Sequence, residues 1–279
     1  MKKSVDVYEV RAFSRGDAGG NLAGVVLERV DNNLKQGIAK RLGYSETVFI
    51  EETGEREFHL EYFTPSSEVD LCGHATIGGI HVLKEVEGLE EGSYTIETRA
   101  GRLEVEVGRE AIFMEQNEPA FYGEVDRKKI AESLNISVED LGDLSPEIVS
   151  TGLKDILVPI GSLEVMRNIE PDFKRIEEIS REYGVVGYHL FTLESIEGNT
   201  AFTRNFAPLY EIDEESATGT SNGALACYLG KYGVVEDKKM RFEQGDYMGN
   251  PSRVDVRMDG KSPMVGGEAA LTRKFTIEV

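Results

Sequence analysis

One stretch of this sequence occurs twice, and a chain that carries it twice has to fold into two related halves. Residues 63–83 read FTPSSEVDLCGHATIGGIHVL, and residues 206–229 read FAPLYEIDEESATGTSNGALACYL. Phe63 is matched by Phe206, Pro65 by Pro208, Glu68 by Glu211, Val69 by Ile212 and Asp70 by Asp213. The second copy then inserts Glu214, Glu215 and Ser216, after which Cys72-Gly73-His74 falls on Thr218-Gly219-Thr220. Each copy runs on into small and apolar residues, the pattern of a strand, a tight loop and a helix start. Such a loop gathers backbone N–H groups that have no intrahelical partner and can hold an anion.

Length alone leaves 279 residues open to one domain or two, and the repeat decides for two. The expected division is an N-terminal lobe over residues 1–118 and a C-terminal lobe over 119–279, with residues 119–146 as a linking stretch and the last strand a candidate to pack on the N-terminal lobe. With 51 acidic against 31 basic side chains the formal charge is −20, which argues against nucleic acid as a partner. Cys72 and Cys227 have neither the density of a secreted disulfide framework nor zinc spacing, so a reducing, cytoplasmic setting is expected. No run is long and apolar enough for a membrane span, and the start MKKSVDVYEVRAF alternates like a strand without an apolar signal core.

Along the chain, SVDVYEVRAF (4–13) and residues 21–27 read as strands separated by the turn RGDAGG. Leu34, Ile38 and Leu42 have helical spacing, and Gly43 stops that helix. YSETVFIEE then enters a strand, with Ser45 and Glu46 at the junction. SYTIETRAGRLEVEV predicts a hairpin, with MRFEQGDYMGNPSRVDVRM as its counterpart in the second half. DRKKIAESL and DFKRIEEISREYG predict helices, the second ended by Gly184 as Gly43 ends its counterpart. Aligned in this way, Glu46 falls opposite Gly187.

A duplicated scaffold that differs at its ionisable positions points to those positions for chemistry. They are Glu46, Cys72, His74 and Glu215. Glu46, flanked by apolar residues, is a candidate general base whose pKa partial burial would raise; the alternative is a surface glutamate. His74, at a helix N-terminus where the dipole favours the neutral ring, either acts on a ligand or caps its own helix. Cys72 is either a thiolate with a lowered pKa or a buried structural cysteine. A two-thiol racemase would want a second cysteine where Thr218 stands. Glu215 either binds an ammonium and shares a proton, or is one more charge in an acidic run. His59, His81 and His189 show no metal-ligand pattern, and neither GxGxxG nor a lysine-bearing phosphate loop is present, so a small carboxylate is the expected ligand.

Gly20-Asn21, Ser45-Glu46-Thr47 before Val48-Phe49, the FTP loop with Glu68 and Cys72-Gly73-His74-Ala75-Thr76, then Glu215-Ser216-Ala217-Thr218-Gly219-Thr220 and Gln244-Gly245, stand in this order over nearly the whole chain. Together they resemble the PhzF-like phenazine-biosynthesis isomerase family, a branch of the diaminopimelate-epimerase-like fold. The resemblance implies an α+β fold of two pseudo-symmetric lobes, each a curled β-sheet around a central helix, with the active site in the cleft between them. It implies proton transfer without a cofactor, and a homodimer. Glu46 matches the family's acid/base, while His74, Glu215 and Thr220 match residues that orient the substrate, and Gly73 and Gly219 supply backbone N–H groups; Cys72 lies beside them. The chain departs from the family at Glu215-Ser216, where Asp-Pro is usual, at Thr220, usually Ser, and at Leu22, usually Pro. The longer Glu215 side chain points to a different substrate rather than a different reaction. The expected function is an isomerase acting on a small unsaturated carboxylate; an epimerase using Cys72 and a noncatalytic metabolite-binding protein are its rivals.

Overall fold

The structure is a computed structural model that describes residues 4–16 and 18–278. Residues 1–3 of the expected first lobe, Asp17 of the RGDAGG turn and residue 279 lie outside the described residues. In chain order the elements are β1 (Ser4–Ala12), β2 (Asn21–Val26), α1 (Asn32–Leu42), β3 (Glu46–Gly54), β4 (Glu57–Phe63), β5 (Glu68–Val69), α2 (Gly73–Glu87), β6 (Gly92–Thr98), β7 (Gly101–Val107) and β8 (Ile112–Glu115). There follow β9 (Ala120–Glu124), α3 (Arg127–Ser133), β10 (Glu147–Ser150), β11 (Lys154–Pro159), α4 (Leu163–Asn168), α5 (Phe173–Tyr183), β12 (Tyr188–Thr192), β13 (Ala201–Ala207) and β14 (Ile212–Glu215). The chain closes with α6 (Gly219–Lys231), β15 (Lys239–Gln244), β16 (Ser252–Arg257), β17 (Met264–Gly267) and β18 (Ala269–Glu278). Contacts divide it into two compact units, residues 1–115 with 266–279, and residues 116–265. Among the described residues, no helix is long and apolar enough to cross a membrane.

The first unit is a mixed sheet. β18 pairs antiparallel with β1 and β1 with β2; β2 runs parallel to β3; β3 and β4 form a hairpin; β4 runs parallel to β6, which turns back as β7 and then β8. The second unit repeats the scheme. β9 pairs with β10 and β10 with β11, β11 runs parallel to β12, β12 turns back as β13, and β13 runs parallel to β15, which pairs with β16. The same sequence of antiparallel and parallel steps is the duplication written in hydrogen bonds. Each half is thus α+β, with its parallel pairs bridged by helices as a crossover requires.

The helices fall into two kinds. α2 is buried from His74 through Ile80 and again at Val82 and Leu83, and α6 from Ser221 through Leu229. A helix apolar on every side must lie inside its unit rather than on its surface. Each buried Ile, Val or Leu contributes about 1.5–3 kcal/mol. α2 lies so close to the sheet that a Cβ on Gly78 would come 2.5 Å from Val10 Cγ1. By contrast α1 and α5 carry buried residues on one side only and both end at a left-handed glycine, Gly43 (φ 71°) and Gly184 (φ 63°).

Residues 119–146, expected as a linker, are folded into the second unit. Val125, Ile130, Ala131, Leu134 and Leu141 belong to the same buried core as Ile156, Tyr188, Leu190 and Phe206. The short α4, which the sequence pattern does not announce, buries only Met166 and starts where Ser162 Oγ accepts the Val165 N–H.

Both buried helices are delivered by one device. β4 turns through Thr64–Ser67, with Thr64 Oγ1 accepting the N–H groups of Ser66 and Ser67, and β5 pairs back on β4 before Cys72. In the second unit β14 pairs back on β13 before Thr218. At the position matching Glu46 the second unit has no room: a Cβ on Gly187 would lie 1.9 Å from Phe206 O. Gly187→Ala is therefore expected to cost about 2–4 kcal/mol, read as a lowered urea midpoint with an unchanged denaturant slope; a variant as stable as the parent would refute the close approach.

Candidate active site

In the first unit, the chain leaves α1 at Gly43 and turns through Tyr44 and Ser45, so that Glu46 is the first residue of β3. Cys72 is the N-cap of α2 in an extended conformation, and Gly73 and His74 are the first two helical residues. His74 Nε2 lies 3.1 Å from Glu46 Oε2. Ser45 Oγ is 3.3 Å from the same nitrogen, and Cys72 Sγ is 3.5 Å from Nδ1. The His74 side chain is 9% exposed and that of Glu46 21%, so both charges are largely withdrawn from water. The two side chains form a close ion-pair contact, with Ser45 and Cys72 also beside the carboxylate.

The protonation states differ from those expected at the sequence level. Burial alone would lift the Glu46 carboxyl, but the His74 side chain and its charge hold it below the usual glutamate range. Burial likewise disfavours a charged His74, yet Cys72 and Glu46 beside it raise its pKa well above the usual imidazole range. The dipole argument for a neutral ring loses to a carboxylate in contact. Burial lifts the Cys72 thiol; the His74 charge pulls it back and the Glu46 charge pushes it up again, and the net effect is upward, so the helix start does not favour a thiolate. The donor atoms of Glu46, Cys72 and His74 all lie within 4.8 Å of one another, close enough for a metal ion. A metal would need the thiolate and the neutral ring, the forms that these surroundings disfavour.

In the second unit Glu215 ends β14 and Gly219 and Thr220 open α6. The N-cap Thr218 does not cap the helix; its Oγ1 donates to Glu215 Oε2 at 2.9 Å. Gln244 donates from Nε2 to Glu215 O at 2.8 Å and accepts the Thr218 N–H at Oε1, 3.1 Å away. Thr220 takes part through its backbone, whose carbonyl accepts from Thr151 Oγ1 at 3.1 Å. Behind them His189 is wholly buried, with Asn205 Nδ2 3.2 Å from Nδ1 and Asn222 Oδ1 3.2 Å from Nε2. Burial pushes its pKa down to about 4, against a small opposing effect of Asn222. Cys227 lies far along α6, a buried free thiol pushed up to about 12 by burial.

Residues 10–274 match the model of a protein family described as phenazine biosynthesis-like, PhzC-PhzF. The chain belongs to this family. A protein of Bacillus subtilis named as the uncharacterized isomerase YfhB is 37% identical, with 92% of each chain covered. An uncharacterized isomerase of Deinococcus radiodurans is 33% identical over 95% of this chain and 92% of its own. The crystal structure of a PhzF-family phenazine biosynthesis protein from Bacillus anthracis has a TM-score of 0.90 and 30% identity, covering 99% of this chain and all of that one.

Of the residues singled out in the sequence, the structure brings Glu46, Cys72, Gly73 and His74 into one cluster, and places Glu215, Gly219 and Thr220 together at the start of α6. Sequence reasoning gave no role to Ser45, Thr218, Gln244, His189 or Asp155. Ser45 and Gln244 stand in motifs that carry the resemblance, and Asp155, a charge at the edge of the apolar run ILVPI, is itself a signal. The ion pair has a direct test. In ring-labelled protein the His74 imidazole should titrate well above an ordinary histidine by NMR, and Glu46→Gln, which removes a carboxylate that raises it, should shift that titration to lower pH. An unshifted His74 in the variant would mean that the carboxylate does not govern it.

Proposed function

We propose that this protein is an isomerase that moves a proton on a small unsaturated carboxylate, with Glu46 as the acid/base and His74 as the group that holds and orients the substrate. The observation that supports this most is the Glu46 carboxylate: largely buried, held below the usual glutamate range, and 3.1 Å from the His74 ring. A base must be unprotonated at the start and must become more basic when the substrate is in place. The His74 charge serves both needs. It keeps Glu46 ionised in the empty site, and an arriving carboxylate that shares the imidazolium weakens its hold on Glu46, raising the affinity of the Glu46 carboxylate for a proton from carbon. The protonated Glu46 then returns the proton at the other end of the allylic system.

The start of α2 fits an anionic ligand because the first backbone N–H groups of a helix have no intrahelical partner, and those of Gly73 and His74 lie beside the Glu46 cluster. The part of Glu215, Gly219 and Thr220 in binding the same substrate rests on the resemblance. So do independence from any cofactor and a homodimer, while a cytoplasmic location rests on the cysteine usage and the N-terminal pattern. Cys72, with its thiol pKa raised, is assigned to packing and to the contact with His74 rather than to proton abstraction.

The test is hydrogen exchange. A panel of small β,γ-unsaturated carboxylic acids is incubated with the protein in deuterated buffer, and loss of carbon-bound protons is followed by NMR. Exchange should occur with at least one acid, fall about 100-fold or more in Glu46→Gln, and persist within about tenfold in Cys72→Ser. Exchange that survives Glu46→Gln at the parent rate, or that is abolished by Cys72→Ser, would overturn the assignment.

A further inference from the structure

At the place where the first unit carries Glu46, the second unit also holds a carboxyl, delivered from the neighbouring strand. In the first unit the parallel pair β2 and β3 sets Ala23 beside Glu46. In the second, β11 and β12 are the matching pair: Ile156 lies beside Tyr188, which puts Asp155 level with Gly187, the counterpart of Glu46. The acid and the small residue have exchanged strands. Gly187 is pressed against Phe206 O and can hold no side chain, while Asp155 projects its carboxyl to the start of α6, where Oδ2 accepts from Ser221 Oγ at 2.5 Å.

The surroundings of this carboxyl are unlike those of Glu46. Asp155 is 2% exposed, and Oδ1 is buried without a full hydrogen-bond partner, the Gly187 backbone offering partial support. The facing groups are Ser221 from α6 and Glu215 from β14. Asn205 of β13 donates to both Ser221 and His189, and His189 of β12 is kept neutral between two amides. On β10 the titratable group is Glu147, already bound to Lys231 and Tyr232. No cation is among the groups that act on Asp155. An ionised carboxylate with an unfilled oxygen, no positive partner and a second carboxylate nearby is strongly disfavoured.

We propose that Asp155 is a positioning residue that carries a proton up to about neutral pH and, through Ser221, sets the first turn of α6, against which Glu215 is held. Its proton leaves a single negative charge, that of Glu215, at this helix start. Burial, outweighing the Ser221 hydrogen bond and reinforced by the Glu215 charge, pushes the Asp155 carboxyl up to about 7. The proton is therefore near balance at physiological pH, and anything that neutralises Glu215 favours its release. An ammonium-bearing ligand bound at Glu215 would be taken up with loss of a proton from Asp155, a coupling separate from any chemistry at Glu46.

Infrared spectroscopy of protein labelled with ¹³C at the aspartate side-chain carboxyl tests this without substrate, so its outcome is independent of the isomerase assignment. The parent should show a protonated-carboxyl band at pH 6 that fades as pH passes about 7 and is missing from Asp155→Asn. Two further variants should move the midpoint in opposite directions: Glu215→Gln downward, because a raising charge is gone, and Ser221→Ala upward, because a lowering hydrogen bond is gone. If Asp155→Asn does not fold, the opposed shifts alone assign the band. Faster amide exchange at Gly219–Ser221 in Ser221→Ala, with the rest of α6 unchanged, supports the positioning role. Absence of a protonated band at pH 6, a midpoint indifferent to both variants, or unaltered exchange in that turn would overturn the proposal.

Discussion

A carboxylate taken out of water is tolerable beside a cation, with its oxygens filled by N–H donors as in Glu243, or without its charge. The first unit takes the first course. Glu46 and His74 hold each other ionised, and removing either partner from a fully buried pair would cost about 3–5 kcal/mol, less here because Glu46 retains some exposure. The same contact ties the start of β3 to the start of α2, so one pair fixes both where the Glu46 carboxylate stands and which form it is in. Packing supports it from behind: α2 can approach the sheet closely because Gly78 and Gly79 present no side chains to Val10 and Ile50.

The two buried histidines show how far partners decide protonation. Both lose solvation, which disfavours the charged ring in each case. His74 has the Cys72 sulfur and the Glu46 carboxylate against it and is raised; His189, with a side-chain amide on each nitrogen and no charge beside it, is driven down to about 4 by burial. Amide partners supply no charge and are satisfied only by a ring that accepts at one nitrogen and donates at the other. The neutral ring is thereby written into the hydrogen-bond pattern of the second unit, as the charged ring is written into the first.

The duplication was legible in the sequence because it rests on local signals: Gly43 and Gly184 after helical periodicity, alternation around Arg99-Ala100, small residues after Gly73 and Gly219. The buried character of α2 and α6 follows from the same apolar runs. What did not show was anything set by neighbours distant in the chain. Glu46 reads as a base lifted by burial, and only the arrival of His74 from another element reverses the sign. Residues 119–146 read as a linker because their apolar residues are scattered, and their place in a core depends on Ile156, Tyr188 and Phe206 facing them. Asp155 was passed over because comparison position by position hides a carboxyl that has crossed to the adjacent strand.

The difference between the units also bears on how a protein of formal charge −20 could accept an anion of the proposed kind. At a distance the field repels it, but a bulk field is screened within about a Debye length, roughly 8 Å at physiological salt. What matters at contact is the local arrangement. In the first unit the Glu46 and His74 charges offset each other beside the start of α2, whose dipole favours an anion. In the second unit, Thr218 spends its hydroxyl on Glu215 instead of on the helix, and a neutral Asp155 withholds a second negative charge from that start. Loss of the Asp155 proton would add that charge beneath α6, where its own dipole favours an anion. The acidity of the whole molecule therefore sets the approach, while the proton inventory of a few buried groups sets what can be bound.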